Sequence, residues 1–157
     1  MIREEGYKLV TSWTHNQNLV KHMLAVEAQM RALARELENK NLKLKINIDE
    51  WGLAGLVHDA DYERWPKEHP QKLLEELKKR NAPDWLCDAV ESHAWHFNGM
   101  KREPQTKLEW SLYTCDELSG FIIACALVKP DKKLSSVTID TVMKKWDQKS
   151  FAKGVHR

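Results

Sequence analysis

Seven histidines stand among the 157 residues of this chain, and one of them heads its sharpest chemical feature, Val57-His58-Asp59-Ala60-Asp61. An imidazole and two carboxylates follow there on the apolar segment Trp51 to Val57. Neighbouring side chains on an intact helix diverge by about 100°. His58 and Asp59 can therefore share one metal ion only at a helix end, where the second residue is able to swing round. An imidazole nitrogen with a carboxylate oxygen suits a divalent ion such as Mn, Fe, Co, Ni or Zn. A His-Asp dipeptide also arises by chance, so its meaning depends on its company. His22 flanks an apolar stripe between Leu19 and Val26, and Asp116 follows Cys115 with Leu112, Tyr113 and Ile123 at helical spacing. A carboxylate near a buried face must be paired or metal-bound, because isolated buried charge is very costly. Without a metal, His22 reads as a hydrogen-bonded core histidine and Asp116 as half of an ion pair between helices.

The elements that must position these groups read as helices. Leu19, Met23, Val26, Met30, Leu33 and Leu37 recur at steps of three and four, which predicts a helix over 16–37 with Asn16 or Asn18 at its start. Asp49 is the expected cap of a short helix from Glu50 to about His58. Pro70 and Pro83 open two more, the first stopping near Asn81 and the second near His93. Thr106 caps a long helix that Lys129-Pro130 halts after Val128, and a shorter one runs from about Val137 to Trp146. Only Leu42 to Ile48 alternates like a strand, or it is an extended connection. With no internal repeat and no Gly/Ser-rich linker, the chain reads as one all-α domain over 1–157.

Composition excludes several classes. Apolar residues at 42% and charged residues at 31% belong to a globular protein with a core. A net charge of +2 is too near neutral for a nucleic-acid surface over the whole molecule. The longest apolar run, Gly120 to Val128, is about half of the ~18 residues that a bilayer span needs. The segment MIREEGYKLV lacks the pattern of an export signal, and three cysteines, Cys87, Cys115 and Cys125, are odd in number without C-x-x-C spacing, so a reduced cytoplasmic setting is expected. From Lys129 to Arg157 eight residues are basic and three acidic, which reads as a basic helical extension over 131–157. The seven tryptophans are expected to be packing anchors, with Trp65 and Trp95 also placed to wall a base or sugar.

The order His22, His58-Asp59, Asp116 resembles the H…HD…D pattern of the HD-domain superfamily of metal-dependent phosphohydrolases. The segments NLVKHMLAVEAQMRALA, WGLAGLVHDADYE, EHPQKLLEEL, DELSGFIIACALVKP and KSFAKGVHR look like a bacterial branch of small HD hydrolases, so the resemblance covers nearly the whole chain. It implies a helical bundle around a central metal site. His22, His58, Asp59 and Asp116 would be the ligands of one divalent ion (Mn, Fe, Co, Ni, Mg or Zn). His69, before Pro70, and His93 fall where some branches bind a second metal or the substrate phosphate. The tract SHAWH at His93 lacks the paired histidines and following Gly-Tyr-Pro of the cyclic-dinucleotide branch, which argues against that substrate and leaves one or two ions open.

The activity so implied is hydrolysis of a nucleotide or other small phosphate ester by a metal-activated water. His93 or His69 would contact the phosphate or protonate the leaving group. Asp61 would orient a ligand histidine, or else cap a helix or stand as a surface charge. Lys149, Lys153 and Arg157 recur every four residues, so on a helix they form one cationic face for phosphate, although Gly154 weakens that helix and a solvated tail is the alternative. His96, His15 and His156 read as surface residues. A di-iron HD-fold oxygenase, needing both His69 and His93 as ligands, and a non-catalytic HD module are the competing readings. Relatives of the resembled branch continue beyond position 157, so apolar surface or a homodimer contact is expected at that end. No membrane or nucleic-acid partner is expected.

Overall fold

The computed structural model describes residues 1–155. Seven α-helices form among them: α1 (Arg3–Trp13), α2 (Gln17–Lys40), α3 (Ile48–Val57), α4 (Gln71–Lys79), α5 (Asp84–His93), α6 (Lys107–Leu127) and α7 (Ile139–Trp146), with one 3-10 turn at Leu134–Ser136 and no strand among the described residues. The chain divides into two compact units, Met1–Cys115 and Asp116–Arg157. No described helix is long and apolar enough to cross a membrane.

In the first unit the organising element is α3. Its residues from Trp51 to Val57 are all buried. A helix that is apolar on every side belongs in the middle of a core, and α3 packs against α1, α2 and α5 while α4 packs on α5. Its cap is Asn47, not Asp49: the Asn47 side chain accepts hydrogen bonds from the backbone N–H groups of Asp49 and Glu50 at 3.1 and 3.3 Å. The Asp49 carboxylate is taken instead by Arg31, 2.7 Å away. The alternating segment before α3 is the extended connection, not a strand.

α2 starts as its spacing predicts, with Asn16 Oδ1 accepting from Asn18 N–H at 2.9 Å, and it buries Val20, Met23, Val26, Met30 and Ala34. α1 went unforeseen, although Gly6, Leu9 and Val10 are its buried face. α1 is tied to α2 at Glu27, a buried carboxylate that accepts from Arg3 Nε and Nη2 at 2.7 and 2.9 Å and from Arg31 Nε, on its own helix, at 3.0 Å. α6 begins as expected at Thr106, whose Oγ1 accepts from Glu109 N–H at 3.3 Å.

In the second unit, Phe121 is buried edge-on to Trp146 and Phe151, at 5.3 and 5.4 Å between ring centres. The basic extension is helical only over α7. Residues 147–155 form turns, with Ala152 at φ 46°, so Lys149 and Lys153 are not one face of a helix. The inward packing of Phe151 and the flexible Gly154 favour turns over a continuous helix there. Arg157 and His156 lie outside the described residues.

α2 and α3 approach closely at Gly55. A Cβ there would stand 2.9 Å from Glu27 N, 3.0 Å from Glu27 Cα and 3.0 Å from Val26 C, all main-chain atoms of α2. At Gly6 a Cβ would instead meet the movable methyl groups of Leu53 and Val57, at 2.8 and 3.0 Å. Overpacking of a tight contact costs about 1–3 kcal/mol. Gly55→Ala is therefore expected to lose stability in that range or above, and Gly6→Ala to lose less, as read from urea unfolding midpoints.

Candidate metal centre

α3 ends where the chemistry begins. His58 is its C-terminal cap and is fully buried. The next residues turn tightly, with Ala60 N–H donating to Val57 O at 2.9 Å and Tyr62 N–H to Asp59 O at 3.0 Å. The helix end lets Asp59 point the same way as His58, which an unbroken helix would forbid. This turn is stapled to the start of α2. Thr14 Oγ1 donates to Ala60 O at 3.1 Å, and Glu63 Oε2 accepts from His15 and Asn16 N–H at 2.8 and 2.9 Å. His22, on the second turn of α2, is thereby brought to Asp59.

Four imidazoles surround this one carboxylate. His22 Nε2 and His58 Nε2 lie 3.7 and 3.5 Å from Asp59 Oδ2. His69 Nε2 and His93 Nε2 lie 3.4 and 3.6 Å from the other oxygen, Oδ1. Donor atoms of His22, His58 and Asp59 fall within 4.8 Å of one another, and so do those of Asp59, His69 and His93. Ligands about 2.1 Å from a shared ion stand roughly 3.0–3.4 Å apart at right-angled to tetrahedral geometry. The observed separations lie at or slightly beyond the upper end of that spacing, and beyond the range of good N–H···O hydrogen bonds.

The second nitrogen of three rings is committed. His58 Nδ1 is 2.9 Å from Gly55 O, His93 Nδ1 is 2.6 Å from Val90 O, and His69 Nδ1 is 2.6 Å from Asp61 Oδ1. Oxygen acceptors there hold the proton on Nδ1 and leave the Nε2 lone pair for a metal. His93 Nε2 is buried with no hydrogen-bond partner among the described residues. An orphaned imidazole lone pair in a set of nitrogen and carboxylate donors fits a divalent cation.

Asp61 is fully buried, and its second oxygen accepts from Leu73 N–H at 2.9 Å. It ties His69 to the first turn of α4. His69 itself sits in the turn before α4, and His93 is the last residue of α5. Asp116 is the first residue of the second unit, on α6 one position past Cys115. Lys149 and Lys153 are exposed in that unit, and His15 and His96 are exposed in the first. Sequence reasoning missed Glu63, whose capping partners are distant along the chain, and Phe97-Asn98-Gly99, where an Asn-Gly turn signal was legible.

The family model for the HD domain matches residues 19–120 of this chain. That span holds His22, His58, Asp59, Asp61, His69, His93 and Asp116. No curated protein and no solved structure gives a significant match.

Burial first of all depresses the pKa of His93 from the ordinary 6.5; the rings of His58 and His69 push the same way, and Asp59 opposes them. A histidine held neutral in the fold takes up its proton only on unfolding. Its stabilising contribution is thus fully present above about pH 6.5 and is lost as pH falls through 6.5 toward the folded value. Metal-free protein is expected to unfold at lower urea concentration at pH 5.5 than at pH 7.5. His93→Gln is expected to flatten that difference.

Proposed function

The chain belongs to the HD domain family, and on that premise we propose that it is a metal-dependent phosphohydrolase acting on a small phosphate ester, a nucleotide in the first instance. The single observation that supports this reading is the division of Asp59 between two pairs of imidazoles. His22, His58 and Asp59 would hold one ion. Asp59, His69 and His93 would hold a second. Divalent ions held there supply Lewis acidity toward a phosphoryl oxygen and lower the pKa of water near neutrality.

The chain's own part is to fix the donors. Gly55 O, Val90 O and Asp61 each hold an imidazole in the tautomer that aims Nε2 inward. With Nδ1 engaged and Nε2 turned to Asp59, His69 and His93 both aim a ring nitrogen at the same carboxylate oxygen. We therefore read both as ligands in place of the phosphate or acid role expected for them. Asp61 is a positioning residue: it touches His69 and the backbone of Leu73.

A di-iron oxygenase is the second reading, favoured by the same sharing of Asp59, since that chemistry requires both His69 and His93 as ligands. Two irons per chain on purification, with O₂ uptake and no ester hydrolysis, would select it.

Elemental analysis of purified protein is expected to give two divalent ions per chain, and hydrolysis of a panel of nucleotides and phosphate esters to require them. Asp59→Ala is expected to lose the metal and the turnover together; an ester hydrolysis rate equal to wild type in that variant overturns the reading. Asp61→Asn sets an amide N–H against either His69 Nδ1–H or Leu73 N–H. It is expected to weaken metal binding about 10–100-fold, measured by competition with a chelating dye.

A further inference from the structure

We propose that Tyr62 and Phe97 form an aromatic corner that receives the flat ring of the substrate beside the metal centre, which makes the ester a nucleotide and not a simple sugar or alkyl phosphate. The inference rests on the hydrolase reading for the phosphate end of that substrate.

Tyr62 and Phe97 come from different segments and remain 36% and 43% exposed. Scattered apolar residues on a surface need no explanation, but these two converge. Their ring centres are 6.3 Å apart, and each stands against His69, Tyr62 at 5.4 Å and Phe97 at 5.8 Å. His69 is the histidine whose Nε2 faces Asp59 Oδ1. An apolar wall thus begins where the polar cluster ends.

The backbone holds Phe97 there against its own preference. His96, Asn98 and Gly99 take φ of 71°, 46° and 80°. The left-handed region is disfavoured for residues with a Cβ and is kept only where surrounding contacts enforce it. The enforcing contacts are visible: Asn98 Nδ2 donates to Pro66 O and to His69 O, both at 2.8 Å. The same residue therefore pins the loop and the main chain of a proposed ligand. A ring needed only for packing would be buried, whereas this loop presents Phe97 outward beside the site.

The geometry also says how a ring would sit. A face-to-face sandwich needs about 7 Å between the two walls, two contacts of roughly 3.5 Å. At 6.3 Å and a 43° tilt, Tyr62 and Phe97 make a corner instead of a slot. A base would stack on one face and meet the edge of the other ring, an arrangement that tolerates any base. The tryptophans that sequence suggested for this task have other partners. Trp65 lies edge-on to Trp13 at 4.9 Å with Arg64 over its ring, and Trp95 stacks on His96 at 4.2 Å.

The test compares adenosine 5′-monophosphate with ribose 5-phosphate, which carries the same ester without the base, on metal-loaded protein. Binding is read by calorimetry and hydrolysis by phosphate release. Wild type is expected to favour the nucleotide by about ten-fold in Kd and KM. Phe97→Ala should erase that preference, Phe97→Trp keep it, and Phe97→Leu behave like Ala because it restores bulk without a flat face. Equal affinity of wild type for the two esters, an equal loss on both in Phe97→Ala, or full rescue by Leu overturns the corner. If wild type hydrolyses neither ester yet binds the nucleotide in a Phe97-dependent way, the hydrolase reading fails and the corner stands.

Discussion

Imidazoles can gather around one carboxylate as metal donors only if the far nitrogen of each has somewhere to put its proton. Three of the four rings around Asp59 meet that requirement with an oxygen fixed by other structure: Gly55 O within α3, Val90 O within α5, and Asp61, itself anchored to the first turn of α4. The first two acceptors are helix carbonyls three residues back, so the helix that carries the histidine also sets its tautomer. His69 has no helix behind it, and a buried carboxylate takes over that work. The proposed chemistry depends on these small commitments more than on the carboxylate they surround.

Placement of the rings goes back to how closely α2 and α3 approach. Gly55 has no side chain between its backbone and that of Glu27, and its carbonyl is the acceptor for His58. Its lack of a Cβ lets the two helices touch, and its carbonyl orients a donor one turn later. Glu27, at the same contact, is buried yet held by two arginines, as a buried charge must be. Packing and site geometry are therefore set by the same few atoms.

How much of this was legible follows from range along the chain. His22, His58 and Asp59 could be read because an apolar period of three to four marks the face of α2, and because the apolar run before His58 marks a helix end. The cap at Asn47 was misassigned because Asp49, an equally good cap by type, is drawn off by Arg31 from another helix. The link from Asp61 to His69 and Leu73, the grip of Glu63 on the start of α2, and the meeting of Tyr62 with Phe97 join residues whose spacing carries no period. Lys149 and Lys153 show the opposite failure: a four-residue recurrence suggested a helical face, and turns placed them otherwise.

Asp61 poses the remaining electrostatic question. Its carboxylate is fully buried, and both its oxygens are taken, one by the His69 ring and one by Leu73 N–H. On the other side of the same ring, Nε2 stands 3.4 Å from Asp59 Oδ1. One imidazole thus lies between two carboxylates, an arrangement that suits a cation held at Nε2. Because the native fold gathers these donors and an unfolded chain disperses them, an ion held there also stabilises the fold.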